Sequence, residues 1–226
     1  MKLFNLFFFI VIGFLCWGSW TVYERFFVLP GESEEDFVRL MNKKRNHILD
    51  ACSKMDLDPR LLVSVLYAER RSNINMLDDY EDMFAYLGNN TSIGLGQIRL
   101  DTAKWILEKA TDSTHVYGLP AKCRTFIPKA VGRYQLQSLL QSDSTNVLLT
   151  AIHLKQILLR WERAGYPLDN RPDIVATLYT YGLYDRETGQ ELAPHANPVS
   201  NTLGMLASRF YTSNTLINLF KQRSML

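Results

Sequence analysis

Along most of this chain, apolar residues recur with the spacing of helices rather than of strands. Leu62, Val65, Leu66 and Glu69 fall at i, i+3, i+4 and i+7 and share one face. Asp58 is positioned to cap that helix, and Pro59 takes its first position, where a missing N–H does no harm. Upstream, Ser33 followed by Glu34, Glu35 and Asp36 reads as a helix start, with Phe37, Leu40, Met41, Ile48, Leu49 and Cys52 on the apolar face that follows. Downstream, Asp101 is the expected cap of a helix carrying Ala103, Ile106, Leu107 and Ala110. Ser142 to Thr145 open a long amphipathic helix that runs to about Ala164 and is closed by Gly165. Its core face is read as Val147, Leu148, Ala151, Ile152, Leu154, Ile157, Leu158 and Trp161. Asn170-Arg171-Pro172 begin another helix, through Leu178 and Tyr181, and Asn197-Pro198 open a last helix or pair of helices. Between these elements, 76–90 reads as an irregular lobe bordered by turn residues, and 111–129 is loop-rich.

The amino end follows a different pattern. Leu3 to Trp20 is almost wholly apolar, the length of a membrane span or a long signal peptide, and Trp17, Trp20 and Tyr23 suit a membrane interface. No good small-x-small cleavage site follows, so the expectation is an uncleaved anchor over 1–24, a linker over 25–32 ending at Pro30-Gly31, and one domain over 33–226. A secreted protein freed from a signal peptide is the alternative. With 47% hydrophobic and 21% charged residues in 226, the chain is expected to bury a real core rather than stay disordered. A formal net charge of +2 gives no argument for nucleic acid. Three cysteines are too few for a disulfide scaffold, and four scattered histidines show no zinc-like spacing, so no metal or cofactor is expected. Cys52 and Cys123 are expected to be bonded or both buried.

The residue that changes the picture is Glu69. A carboxylate on an apolar stripe is seldom buried without cause. Desolvation would raise its pKa and keep it protonated near neutral pH, as a general acid requires. The plainer reading is a carboxylate paired with Arg70, Arg71 or a more distant arginine, or lying at the stripe's edge. A turn of small residues follows at Thr91-Ser92-Ile93-Gly94-Leu95-Gly96-Gln97-Ile98, where two glycines let the backbone approach a ligand and Gln97 supplies donors and acceptors. The acids between them, Asp78, Asp79, Glu81 and Asp82, read as a solvated loop or as a source of a water-orienting carboxylate.

A helix-borne Glu69, then Ser92-x-Gly94-Leu95-x-Gln97-Ile98, then Thr102-Ala103, then Leu178-Tyr179-Thr180-Tyr181-Gly182, resembles the lysozyme-like lytic transglycosylases, in the superfamily that includes the goose-type lysozymes. The likeness covers roughly 58–184. Three positions depart from that pattern: Arg70 follows the acid in place of Ser, Gly96 stands for Met, and Thr180 stands for Asn.

The resemblance implies a mainly α, lysozyme-like fold with a cleft and a small β-hairpin, the latter expected in the acidic lobe. It implies cleavage of the β-1,4 bond between N-acetylmuramic acid and N-acetylglucosamine in peptidoglycan strands. Glu69 would act as acid and then base, giving a 1,6-anhydro product, so the enzyme would be a lyase. Ser92, Gly94, Leu95 and Gln97 would hold the substrate, and Tyr179 would orient Glu69 or the acetamido group. Such a domain would work in the periplasm or cell-wall compartment, held at the inner membrane by the amino-terminal helix. A true lysozyme using water, and a non-catalytic wall-binding scaffold, are the alternatives.

Overall fold

The computed structural model describes residues 33–72, 92–130, 132–184 and 188–221. The expected anchor and linker, and the acids Asp78, Asp79, Glu81 and Asp82, lie outside these residues. Among the described residues no helix is long and apolar enough to cross a membrane.

The described residues are mainly helical, as the apolar spacing predicts. Helix α1 (Glu34–Lys43) starts at Ser33, whose side chain accepts from the Asp36 amide at 3.1 Å. The single helix expected from 34 onward is broken at Lys44, and α2 (Arg45–Met55) follows, ending at Asp56 in a left-handed conformation. Helix α3 (Pro59–Ser72) has Asp58 at its start, accepting from the Arg60 amide at 2.8 Å. Two short strands, β1 (Ser92–Ile93) and β2 (Ile98–Arg99), pair antiparallel with Ser92 opposite Arg99. A hairpin therefore forms on the glycine-rich turn itself; the acidic lobe, where one was expected, lies outside the described residues.

Helix α4 (Leu100–Thr111) follows without a break. Asp101 lies inside its first turn and is not the expected cap; that position is Arg99, which makes no side-chain capping bond. The loop-rich stretch holds one short helix, α5 (Ala121–Arg124), and Arg133–Gln141 form α6, which the periodicity did not reveal. The long helix α7 (Asp143–Arg163) and α8 (Pro172–Tyr181) match their expected positions. The last pair, α9 (Thr202–Tyr211) and α10 (Asn214–Lys221), begins later than Asn197: the cap is Asn201, whose side chain accepts from the Gly204 amide.

Helix α7 is the axis of the domain. It packs on α2, α3, α4, α6 and α8, and every residue from Asn146 to Leu154 is buried. Because this stretch is covered on all sides, its core positions spread beyond one stripe. Helix α3 lies beside it and is closed over by α8 and α9. Tyr67 on α3 stacks on Phe210 of α9 at 4.0 Å between centroids and meets Phe37 of α1 edge-on at 5.1 Å. At the start of α3, Tyr211 donates to Asp58 at 2.9 Å and sits 3.1 Å from Arg60. Cys52 and Cys123 are both buried free thiols, and burial, aided by Asp58, pushes the Cys52 thiol up to about 12.

Candidate active site

The carboxyl end of α3, the β1–β2 turn, α4, α7 and α8 enclose a cleft of about 770 Å3. Glu69 lines it, one helical turn beyond the fully buried Val65 and Leu66. Burial pushes the Glu69 carboxyl up to about 7. The cause is desolvation, the first of the three effects that shift a carboxyl and the one expected for an acid on an apolar stripe. Raised this far, the carboxyl holds its proton much closer to neutral pH than an ordinary glutamate does. Among the described residues lining the cleft, the other carboxylate is Asp101, which is exposed.

The turn opposite Glu69 is held from behind by α7. Asn146, fully buried, donates through Nδ2 to Ile93 O and Leu140 O, both at 2.9 Å, and accepts from the Gly96 amide at 2.7 Å. One side chain thus satisfies three backbone groups. The close approach explains both glycines. Gly94 has φ +70, and a Cβ there would lie 2.4 Å from Asn146 Nδ2; a Cβ on Gly96 would lie 2.0 Å from Thr150 Oγ1. Sequence reasoning assigns this space to a ligand. Instead, protein fills it, and the glycine standing for Met at 96 is the residue that lets α7 touch the turn.

Tyr179 on α8 completes the clamp. Its hydroxyl donates to Gly96 O at 2.6 Å. Burial first, and Glu69 nearby second, push that phenol well above its ordinary range, with the Thr150 hydroxyl opposing. Tyr179 is therefore neutral and fixed, and it orients the turn directly.

The predicted binding residues fall in two groups. Ser92, Gln97 and Tyr179 line the cleft, as does Thr180. Gln97 adopts φ +49 and donates through Nε2 to Gly94 O at 2.9 Å, which stiffens the turn. Leu95, by contrast, is buried in the apolar core and is not among the residues lining the cleft; it pins the turn from beneath. Gly94 contributes backbone only.

Several site residues were missed in the sequence. Asn146, Thr150 and His153 lie at i, i+4 and i+7 and form a polar stripe within the buried part of the helix. That stripe was the available signal, since buried polar side chains need partners. Trp105 and Tyr184 also line the cleft, their rings 6.3 Å apart and edge-on.

Residues 34–158 match the family described as T6SS, Peptidoglycan muramidase Tse3, catalytic domain. Over 110 residues the chain is 32% identical to Peptidoglycan muramidase Tse3 of Pseudomonas aeruginosa, covering 47% of this chain and 24% of that protein. The chain spans about a quarter of the length of this relative. The family match takes in Glu69, the hairpin turn and most of α7, and it stops before Tyr179.

Proposed function

The chain belongs to the T6SS, Peptidoglycan muramidase Tse3, catalytic domain family, and from that premise we propose that it cleaves the glycan strands of peptidoglycan with Glu69 as general acid. The observation that carries this reading is the Glu69 carboxyl, raised to about 7 by burial, on the wall of a cleft of about 770 Å3. Protonated Glu69 gives its proton to the glycosidic oxygen as the bond to the muramyl anomeric carbon breaks. Positive charge then develops on the ring, and the carboxylate left behind stabilises it. Gln97 and Ser92 supply hydrogen bonds along one wall, and the clamp of Asn146 and Tyr179 keeps that wall in register with Glu69.

Two nucleophiles can finish the reaction. Water is supported by the muramidase description of the family and by Asp101, a second carboxylate on the cleft. The muramyl 6-hydroxyl, closing onto the anomeric carbon, is supported by the Ser92-x-Gly94-Leu95-x-Gln97-Ile98 likeness to lytic transglycosylases. In that route Glu69 takes back the hydroxyl proton and no second carboxylate is needed. We favour water on the family match.

Mass spectrometry of the fragments released from purified peptidoglycan separates the routes, because the anhydro product is lighter by one water. Glu69→Gln is expected to lose at least about 10²-fold in rate, since the amide keeps the shape and cannot donate the proton. Cleavage by Glu69→Gln within a few-fold of the parent would move the acid elsewhere.

A further inference from the structure

The polar stripe on α7 leaves one member without work in the turn. Asn146 bonds the turn's backbone, and Thr150 packs against Gly96 while donating to Asn146 O at 3.0 Å. His153, the third member, is only 6% exposed, yet it lines the cleft. Its ring lies 5.9 Å from Trp105 and 5.3 Å from Tyr179, between the two aromatic walls.

Its hydrogen bonding is incomplete. Nδ1 is sealed from solvent without a partner. Gln156, one turn on, has the same defect at Oε1 while its Nε2 donates to Ile106 O at 3.1 Å. Folded proteins leave few buried polar atoms unpaired, and a leucine would fill this place without the cost. Burial pulls the ring down to about 4, with the Gln156 side chain opposing, so the imidazole is neutral at ordinary pH. A neutral imidazole has one N–H and one bare nitrogen. The Gln156 side chain acts on the ring and its buried Oε1 has no other partner, which favours the proton on the sealed nitrogen, Nδ1. The nitrogen that is not sealed, Nε2, is then a bare acceptor on the cleft.

We propose that His153 is a substrate-binding residue, its Nε2 accepting a hydrogen bond from a hydroxyl or acetamido N–H of the glycan. This rests on the glycan-cleaving reading and adds to it a contact on the wall formed by α7. The stripe then divides its labour: two residues shape the turn, and the third meets the sugar between Trp105 and Tyr179.

The test is co-sedimentation of the full chain carrying Glu69→Gln with purified peptidoglycan sacculi, alone and with His153→Leu or His153→Gln added. His153→Leu is expected to weaken binding about tenfold, as for a lost hydrogen bond that leaves a sugar group unpaired. Its thermal midpoint is expected to stay near the parent's, because no full hydrogen bond within the protein depends on the ring. His153→Gln, whose amide reaches near the Nε2 position, is expected to bind within about threefold of the parent. Unchanged binding by His153→Leu overturns the proposal while leaving the glycan reading intact. Weaker binding that tracks a lower midpoint in both variants also overturns it, as a merely structural role would. If the parent neither binds sacculi nor releases fragments from them, the glycan reading fails first.

Discussion

At the scale of single residues, the chemistry is set by what surrounds Glu69 rather than by the residue type. Because Glu69 binds its proton more tightly folded than unfolded, the folded state carries the extra proton between the ordinary value of 4.5 and about 7. Stability contributed there is present below 4.5 and falls as pH rises across that window. Glu69→Gln is therefore expected to raise the thermal midpoint at pH 8, at roughly 2–4 °C per kcal/mol for a chain of this size, with no gain at pH 4. In the active chain, kcat/KM is expected to fall about tenfold per pH unit above roughly 7, as the general acid ionises. A flat profile from pH 6 to 9 would exclude Glu69 as the proton donor. Gly96 makes a second residue-scale case. Gly96→Ala puts a methyl where Thr150 Oγ1 stands, so it is expected to cost about 1–3 kcal/mol in urea unfolding. Adding Thr150→Ala removes the clashing atom and is expected to recover most of that loss, a coupling a double-mutant cycle reads directly. Glu69 was legible in the sequence because it interrupts an apolar stripe. Gly96 was legible as a glycine but not for its reason, since the Thr150 that forbids a side chain there lies more than fifty positions away.

At the scale of elements, helices and their ends were legible wherever a local rule governs them. Ser33, Asp58 and Pro59 mark starts, and Gly165, at φ +83, marks a stop. The break at Lys44 was not, because no proline or glycine announces it. The hairpin was missed in place because its strands are two residues each, too short for alternation to register. Helix α7 shows the limit most plainly. An amphipathic reading gave it one apolar face, whereas burial on every side is a property of its neighbours. Only the polar interruptions at Asn146, Thr150 and His153 carry that information in the sequence. The clamp on the turn tests the point. Asn146→Leu leaves Gly96 N, Ile93 O and Leu140 O without their partner. At about 1–3 kcal/mol for each buried group left unpaired, the expected loss is at least ~3 kcal/mol. Hydrogen exchange at the Gly96 amide is expected to accelerate well beyond the change in global stability. Protection unchanged at Gly96 would mean that the hairpin holds its turn without α7.

At the scale of the whole molecule, the site is assembled from parts far apart in the chain. Glu69 and the turn lie within the family match over 34–158, yet α8 and α9, which close over α3, lie beyond it. The aromatic contact of Tyr67 with Phe210 and the bonds of Tyr211 to Asp58 fix that closure. A chain cut after Gly165 is expected to retain helix by circular dichroism, lose its cooperative urea transition and bind a hydrophobic dye, because the face of α3 meant for α8 and α9 is left open. A sharp transition in the shortened chain would show that 34–158 is a complete folding unit. The local part of the fold was therefore readable from spacing, while the closure depended on long-range packing that no window of sequence contains.

The late arrival of α9 also orders events in time. Polypeptides are made at about 5–20 residues per second, so roughly seven to thirty seconds separate the emergence of Glu69 from that of Phe210. Throughout that interval the nascent chain holds its acid on a helix with one bare apolar side. Until Phe210 emerges, the Tyr67 ring on that side lacks its stacking partner. The cleft walls drawn from 179–184 and Leu203 are thus completed late in synthesis rather than built up along it.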